Sequence, residues 1–387
     1  MRSGGVVEER EFSISATEVQ DFLRCRRQWD YQSFNRRSLQ RRGGPKVELA
    51  IGSAIHEALA LSALGGNPQE AIQKYWDDMD RKLQIDYAER VGSPMSPEER
   101  NRLKDSRALC EGLVNQYYNK YGWDNPIKPY RYIAPEVSFK VPIPGTEWID
   151  EKTEIKYVGY LVGQIDGVSE DEQGGIWLVE HKTYSQKAQL RDLELDWQMR
   201  VYTWAAQQLF QTRIQGALYD GIAKRLPKAP KVLNSGKLSR EMNDSLTYDA
   251  YMQAILALGQ DPLDDYYAPF LHRLQAREQG LETNFHTRHR LHYNTKAIDA
   301  VGTTLTKVWH DMVKGDVYPN FPWTGCWDCW VSDLCHAEEQ GDNVEYLIER
   351  DYTVGTYGTR TAQLELTPTS ITSLDDLRRL VQDKKVG

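Results

Sequence analysis

Two short stretches, Gly163-Gln164-Ile165-Asp166 and Val179-Glu180-His181-Lys182-Thr183, decide how this 387-residue chain is read. Each lies in an apolar run, Lys156 to Val168 and Ile176 to Thr183, and the polar segment Ser169 to Gly175 between them reads as a turn. The pair predicts an antiparallel hairpin. Side chains two apart on a strand share a face, so Glu180 and Lys182 point one way and His181 the other. Folding the hairpin about Gln173 sets Asp166 across from Glu180. Two carboxylates at cross-strand distance make a hard oxygen site suited to Mg²⁺ or Mn²⁺. A neighbouring Lys182 ammonium is placed to orient a water or to compensate charge building on a phosphate.

Working outward from the hairpin, helices dominate the N-terminal third. Ser15-x-x-Glu18 reads as a capping box opening a helix that carries Val19, Phe22, Leu23, Cys25 and Trp29. A second helix from about Val47 to Leu64 carries His56 and stops at Gly65-Gly66. Asn67-Pro68-x-Glu70 and Ser96-Pro97-x-Glu99 each start another. From Arg131 the pattern turns to strand, with Tyr132, Ile133, Val137, Phe139 and Val141 closed by Pro142 and Pro144. After the hairpin come a helix from about Leu193 to Phe210, a strand near Ile214 to Ile222 and a basic loop with Lys224, Arg225, Lys228, Lys231, Lys237 and Arg240. A helical insertion, a strand from Asn284 to Tyr293 and a helix from Thr295 to Lys314 follow. The expected organisation is a disordered N-terminus (1–14), one α/β domain (15–336) with a helical region (15–125) and an insertion (224–280), and a C-terminal tail (337–387) holding one short amphipathic helix, Leu374 to Val381.

Composition sets limits. A hydrophobic fraction of 40% with 11% aromatics excludes global disorder. Met1 to Glu11 carries charges of both signs without an apolar run, so it does not read as a leader peptide, and the expected location is the cytoplasm. No apolar stretch approaches the roughly 20 residues of a membrane span. The formal net charge of −8 argues against a nucleic-acid partner on average, but Arg24, Arg26, Arg27, Arg36, Arg37, Arg41 and Arg42 cluster with Trp29, Tyr31 and Phe34 interleaved. That mixture suits phosphate contact and base stacking, and equally a solvated helix face whose arginines lie over their own aromatics. Five cysteines in a reducing compartment point away from disulfides. Cys326-x-x-Cys329, then Cys335 after five residues, with Cys25 far upstream, offer four thiolates for a [4Fe–4S] cubane or a tetrahedral Zn²⁺. The single distant cysteine favours the cubane, since zinc ribbons more often present two close pairs. Cys110 reads as a small buried hydrophobe.

Taken together, these residues resemble the PD-(D/E)XK nuclease superfamily, in which an aspartate ends one strand and a Glu-x-Lys lies on its neighbour, here Asp166, Glu180 and Lys182. The resemblance extends to the RecB-like branch through Gly52-x-x-x-His56, Gln198-x-x-x-Tyr202 and Glu136 on the preceding strand. The cysteine pattern is similar to that of the iron–sulfur group that includes CRISPR-associated four-cysteine exonucleases and AddB-type nuclease domains. It implies a restriction-endonuclease-like α/β core, a central mixed sheet flanked by helices, with an iron–sulfur staple of Cys25, Cys326, Cys329 and Cys335 joining the two ends. It further implies DNA hydrolysis, exonucleolytic on single-stranded ends, with one or two Mg²⁺ or Mn²⁺ ions held by His56, Asp166, Glu180 and the backbone carbonyl of His181. In that scheme Lys182 steadies the attacking water, Gln198 and Tyr202 position the strand, and Arg24, Arg26, Arg27, Arg36 and Arg37 contact DNA. His181 departs from the pattern, which more often has an aromatic or aliphatic residue there. His286, His289 and His292, spaced by three on a strand, read as basic or aromatic positions near the DNA path. No Gly-x-x-x-x-Gly-Lys-Ser/Thr loop occurs, so a helicase or recombination motor would be a separate partner. The rival readings are a catalytically silent DNA-binding scaffold and a zinc-stapled endonuclease.

Overall fold

The chain is known from a computed structural model, which describes residues 8–42, 47–90, 94–279, 283–320, 326–327, 329–355 and 373–379. Its centre is a six-stranded mixed sheet of β1 (Glu9–Ile14), β3 (Arg131–Ile149), β4 (Lys156–Glu170), β5 (Ile176–Tyr184), β6 (Ile214–Ala223) and β7 (His286–His292). A small second sheet pairs β2 (Leu39–Arg41) with β8 (Tyr352–Val354). In the main sheet β3 runs antiparallel along one side of β4. Along the other side β4 has two successive partners: parallel β1 against Lys156 to Leu161, then antiparallel β5 against Gly167 to Glu170. β5 then leaves β4 and continues in parallel with β6.

Helices cover both faces. On one, α1 (Ala16–Arg24), α7 (Trp197–Phe210) and α10 (Thr295–Lys314) enclose the main core with Val19, Phe22, Trp204, Leu305 and Trp309 packed on Phe139, Leu161 and Leu178. On the other, α3 (Val47–Ala63), α4 (Pro68–Arg90) and α5 (Pro97–Tyr121) form a helical core that reaches the sheet at Ile222. The apolar spacing of α10 explains its register: Ile298, Val301, Leu305, Val308, Trp309 and Met312 fall on one buried stripe, capped by Asn294 and stopped by left-handed Gly315. The insertion has its own small core, in which Tyr251 and Ile255 of α8 (Tyr248–Ala257), Phe270 and Leu274 of α9 (Ala268–Glu278), and Tyr267 just before α9 enclose Leu238.

Four sequence expectations are corrected. Residues 9–14 are not part of a disordered N-terminus: Phe12 and Ile14 alternate with polar neighbours and are buried, so the segment forms β1 beside β4. Pro142 and Pro144 do not close β3, which passes them through a register shift and pairs again from Glu147 to Ile149. The segment after residue 336 is more ordered than a tail. α11 (Ser332–Gln340), α12 (Val344–Asp351) and β8 pack Leu334, Ala337, Val344 and Tyr352 around Tyr31 and Leu39. The late helix is present over residues 374–379, its last expected turn lying outside the described residues. The helix expected from Leu193 to Phe210 is split into α6 (Leu190–Glu194) and α7, because the Asp196 side chain accepts from Met199 N–H and starts a new helix.

Candidate active site

The site lies where β5 parts from β4. Their ladder stops at Gly167 and Val179, so Asp166 and Glu180, next in register, no longer pair with each other, while β5 stays paired with β6. The Asp166 Oδ2 accepts the main-chain N–H of His181 at 2.8 Å and so ties the departing strand back to β4. Across β4 on the other side stands Glu136, between the pairs Pro135–Gly167 and Val137–Ile165. Its φ of 49° is left-handed, a conformation that costs a non-glycine residue roughly 1–3 kcal/mol and that re-aims its carboxyl off the strand. Inward-facing positions change parity here, from Val137 to Ala134 on β3 and from Ile165 to Val168 on β4. The sheet therefore kinks at its acidic residues.

His56 reaches the kink from α3, with Nδ1 3.3 Å from Asp166 Oδ1. Gly52, one turn earlier, lets α3 approach, since a Cβ there would stand 3.3 Å from the Thr183 hydroxyl of β5. Donor atoms of His56, Glu136 and Asp166 lie within 4.8 Å of one another, the single such group among the described residues. Glu180 falls outside it. Its Oε1 is 2.5 Å from Lys182 Nζ, and its buried Oε2 has no hydrogen-bond partner. Lys182 also donates to Gln198 Oε1 at 3.1 Å, and Tyr202, one turn along α7, packs edge-on against Phe139. The expected pairing of Gln198 and Tyr202 on one helix face is what the structure displays.

Charges are tightly balanced. Burial pulls the His56 imidazole down, but Asp166 beside it wins and lifts it to about 9. Burial, then Asp166, pushes Glu136 up to about 8 and Glu180 up to about 7, against the pull of His56 and Lys182 respectively. Burial would raise Asp166 too, yet His56 keeps it below the usual carboxylate range. Two buried carboxyls and a half-buried one, with an orphaned oxygen among them, thus suit a divalent cation: it would replace the protons that Glu136 and Glu180 otherwise hold.

A family model described as the PD-(D/E)XK nuclease superfamily matches residues 13–336. The chain belongs to the PD-(D/E)XK nuclease superfamily. It is accordingly a nuclease of a generally metal-dependent kind, with the mixed sheet and flanking helices of that fold. Comparison with curated proteins gave no match. Among solved structures the protein SSO0001 aligns at 11% identity and a TM-score of 0.30, covering 84% of this chain and 86% of that one. Among the described residues no helix is long and apolar enough to cross a membrane.

The remaining sequence candidates of this nuclease are the cysteines, the arginines and the strand histidines. Cys25, Cys326, Cys329 and Cys335 share one neighbourhood: burial, and then the other three thiols, push the Cys329 thiol up. No three of their sulfurs lie within 4.8 Å of one another among the described residues. Cys110 is buried in the helical core, where burial pushes its thiol up to about 12. Arg26 pairs with Asp311 at 3.2 Å, Arg27 with Glu339 at 2.7 Å, and Arg36 and Arg37 both with Asp30. Arg24 stands exposed on α1. His286 is buried under Tyr117 and Tyr121, while His289 lies by Tyr219 and His292 by Trp177. Sequence reading missed Asp220 and Arg288, which look like ordinary alternation on β6 and β7. Their only signal was a carboxylate within the otherwise apolar run Ala217 to Ile222.

Proposed function

We propose that this PD-(D/E)XK protein is a RecB-like, Mg²⁺- or Mn²⁺-dependent exonuclease acting on single-stranded DNA ends in a reducing cytoplasm, with a [4Fe–4S] cluster holding its two ends together. The observation that carries the nuclease reading is the convergence of Glu136, Asp166, Glu180, Lys182 and His56 on the kink in β3 and β4. A bound divalent ion would supply Lewis acidity toward a phosphodiester, with His56, Glu136 and Asp166 as its nearest donors, Glu180 beside them and the His181 carbonyl adjoining. Lys182, fixed by Glu180 and Gln198, presents an ammonium to the charge that develops on the scissile phosphate. Gln198 and Tyr202 line the α7 side, where they would position the strand.

The cluster reading is supported by the shared neighbourhood of the four cysteines. The single distant cysteine, against the two close pairs of most zinc ribbons, favours the iron–sulfur unit over zinc. Of the arginines, we assign phosphate contact chiefly to Arg24, Arg36 and Arg37, because the last two share one carboxylate and keep a net positive charge. Arg26 and Arg27 would contribute only by exchanging their carboxylate partners for phosphate.

The test is incubation of anaerobically purified protein with end-labelled single- and double-stranded linear DNA and with circular DNA, in Mg²⁺, Mn²⁺ or chelator. Mononucleotides or short products from linear single strands, lost with chelator, are expected. Cleavage of circles would replace exonuclease with endonuclease action, and no cleavage under any condition would leave a binding scaffold.

A further inference from the structure

Beside the carboxylates, on the face of the sheet that α3 and α5 cover, lies a buried polar row that the chemistry above does not use, its His181 ring edge-on to His56 with 6.4 Å between centroids. His181, Asp220 and Arg288 are direct cross-strand neighbours on β5, β6 and β7. Asp220 is 0% exposed, His181 3% and Arg288 7%. Arg288 grips Asp220 with two parallel bonds, Nε to Oδ1 at 3.0 Å and Nη2 to Oδ2 at 2.9 Å, and Tyr117 of α5 donates to Oδ2 at 2.5 Å. The rest of the guanidinium is occupied by the Pro126 carbonyl at 2.7 Å and the face of Tyr121 at 3.7 Å. Asp220 in turn stands 3.3 Å from His181 Nδ1, while Tyr132 Oη lies 2.8 Å from His181 Nε2. Tyr132 thus holds the ring by a hydrogen bond at Nε2, while Nδ1, which makes no hydrogen bond of its own, lies within ion-pair distance of the Asp220 carboxylate.

That ring belongs to the residue whose main chain forms part of the site. His181 N–H donates to Asp166, and its peptide carbonyl is the next group along β5 toward Lys182. We infer that His181 is a positioning residue: its side chain, clamped by Tyr132 and by the Asp220–Arg288–Tyr117 unit, fixes the β5 main chain at the point where it leaves β4, and so sets the separation of Asp166 from Glu180. A residue with no ring donors could fill the volume but would leave that stretch of backbone, whose ladder with β4 has ended, held only by its ladder with β6 and by the bond to Asp166. The inference rests on the divalent-ion site described above.

Mn²⁺ binding to the full-length protein, read by electron paramagnetic resonance of the free ion, tests it without requiring turnover. His181→Phe, a somewhat larger ring without polar atoms, removes the Tyr132 bond and the attraction to Asp220, and it is expected to weaken Mn²⁺ binding by about tenfold or more, as loss of an orienting outer contact does. His181→Asn, which returns a polar group between Asp220 and Tyr132, should recover part of that loss. Tyr132→Phe, which removes one bond without stranding a buried charge, should weaken binding roughly threefold, and it decides the matter if His181→Phe does not fold. Mn²⁺ affinity within twofold of the parent in folded His181→Phe, or in Tyr132→Phe where that variant stands in, would overturn the inference. Asp166→Ala in the same titration separates the two levels: if it too leaves binding unchanged, the metal site itself is misassigned, whereas loss there with retention in His181→Phe rejects only the positioning role.

Discussion

In the proposed mechanism Glu180 and Lys182, each fixed by the other, would bear on the transition state more than on affinity. Glu180→Ala and Lys182→Ala are therefore expected to cut turnover of single-stranded DNA by at least about a thousandfold while Kd for DNA stays within a small factor; activity equal to the parent's in Glu180→Ala would sink the mechanism. A second residue-scale expectation concerns Glu18. Sequence spacing gave it a reciprocal cap on Ser15, and Ser15 does accept from Glu18 N–H. The carboxyl itself turns inward to the Ser33 hydroxyl. Burial, only partly offset by Ser33, pushes it up to about 7 from an ordinary value of 4.5. Between those values the folded state binds more protons than the unfolded one, so this contribution declines as pH rises from 4.5 to about 7 and is flat above. The loss amounts to roughly 3 kcal/mol. Glu18→Gln should gain on the parent across that window in urea melts from pH 5 to 8, and parallel curves would show that Glu18 ionises freely. Period-two alternation made Asp166, Glu180 and Lys182 legible in the sequence. It could not reveal the left-handed backbone of Glu136 or the row through Asp220, because nothing local marks either.

At the scale of elements, the site depends on how closely α3 approaches β5. Gly52 faces Thr183 one helical turn before His56, which gives the Gly-x-x-x-His spacing a steric meaning. Gly52→Ala should be nearly neutral, because the neighbouring hydroxyl needs to yield only a few tenths of an ångström. Gly52→Val is expected to cost about 1–3 kcal/mol by overpacking and to retract His56 from Asp166. Thermal melts and Mn²⁺ titration read the two effects, and a Val variant with unaltered metal affinity would show that α3 adjusts without moving its histidine. Elements with long single-period patterns were readable: α10 has the bounds its sequence predicts, and β4 and β5 differ from expectation by only one or two residues. β1 was not, since two apolar residues in six carry little signal until a partner strand supplies the other half of the ladder.

For the whole molecule, the decisive contacts join the chain's first forty residues to its last described third. Trp309 Nε1 donates to the Phe12 carbonyl at 2.8 Å, Leu39 pairs with Val354, and Arg27 reaches Glu339 beside the cysteines. If Cys25 shares a cluster with Cys326, Cys329 and Cys335, anaerobically purified protein should be brown, with iron and sulfide near about four per chain. Cys25→Ala and Cys329→Ala should then both bleach the visible absorbance and lower Tm, whereas Cys110→Ala keeps the colour. Closing so long a loop is worth at most roughly 6 kcal/mol by chain entropy, and less here because β1 and the β2–β8 pair close the same loop. A fully coloured Cys25→Ala protein would remove Cys25 from the ligand set. This end-to-end wiring also governs the order of events during synthesis. β1 leaves the ribosome long before β4, longer still before Trp309, and Leu39 waits for Val354. β1 therefore stays unpaired until β4 has been made, and Leu39 until Val354, so each of these segments completes its packing only after the long stretch between it and its partner has been synthesised.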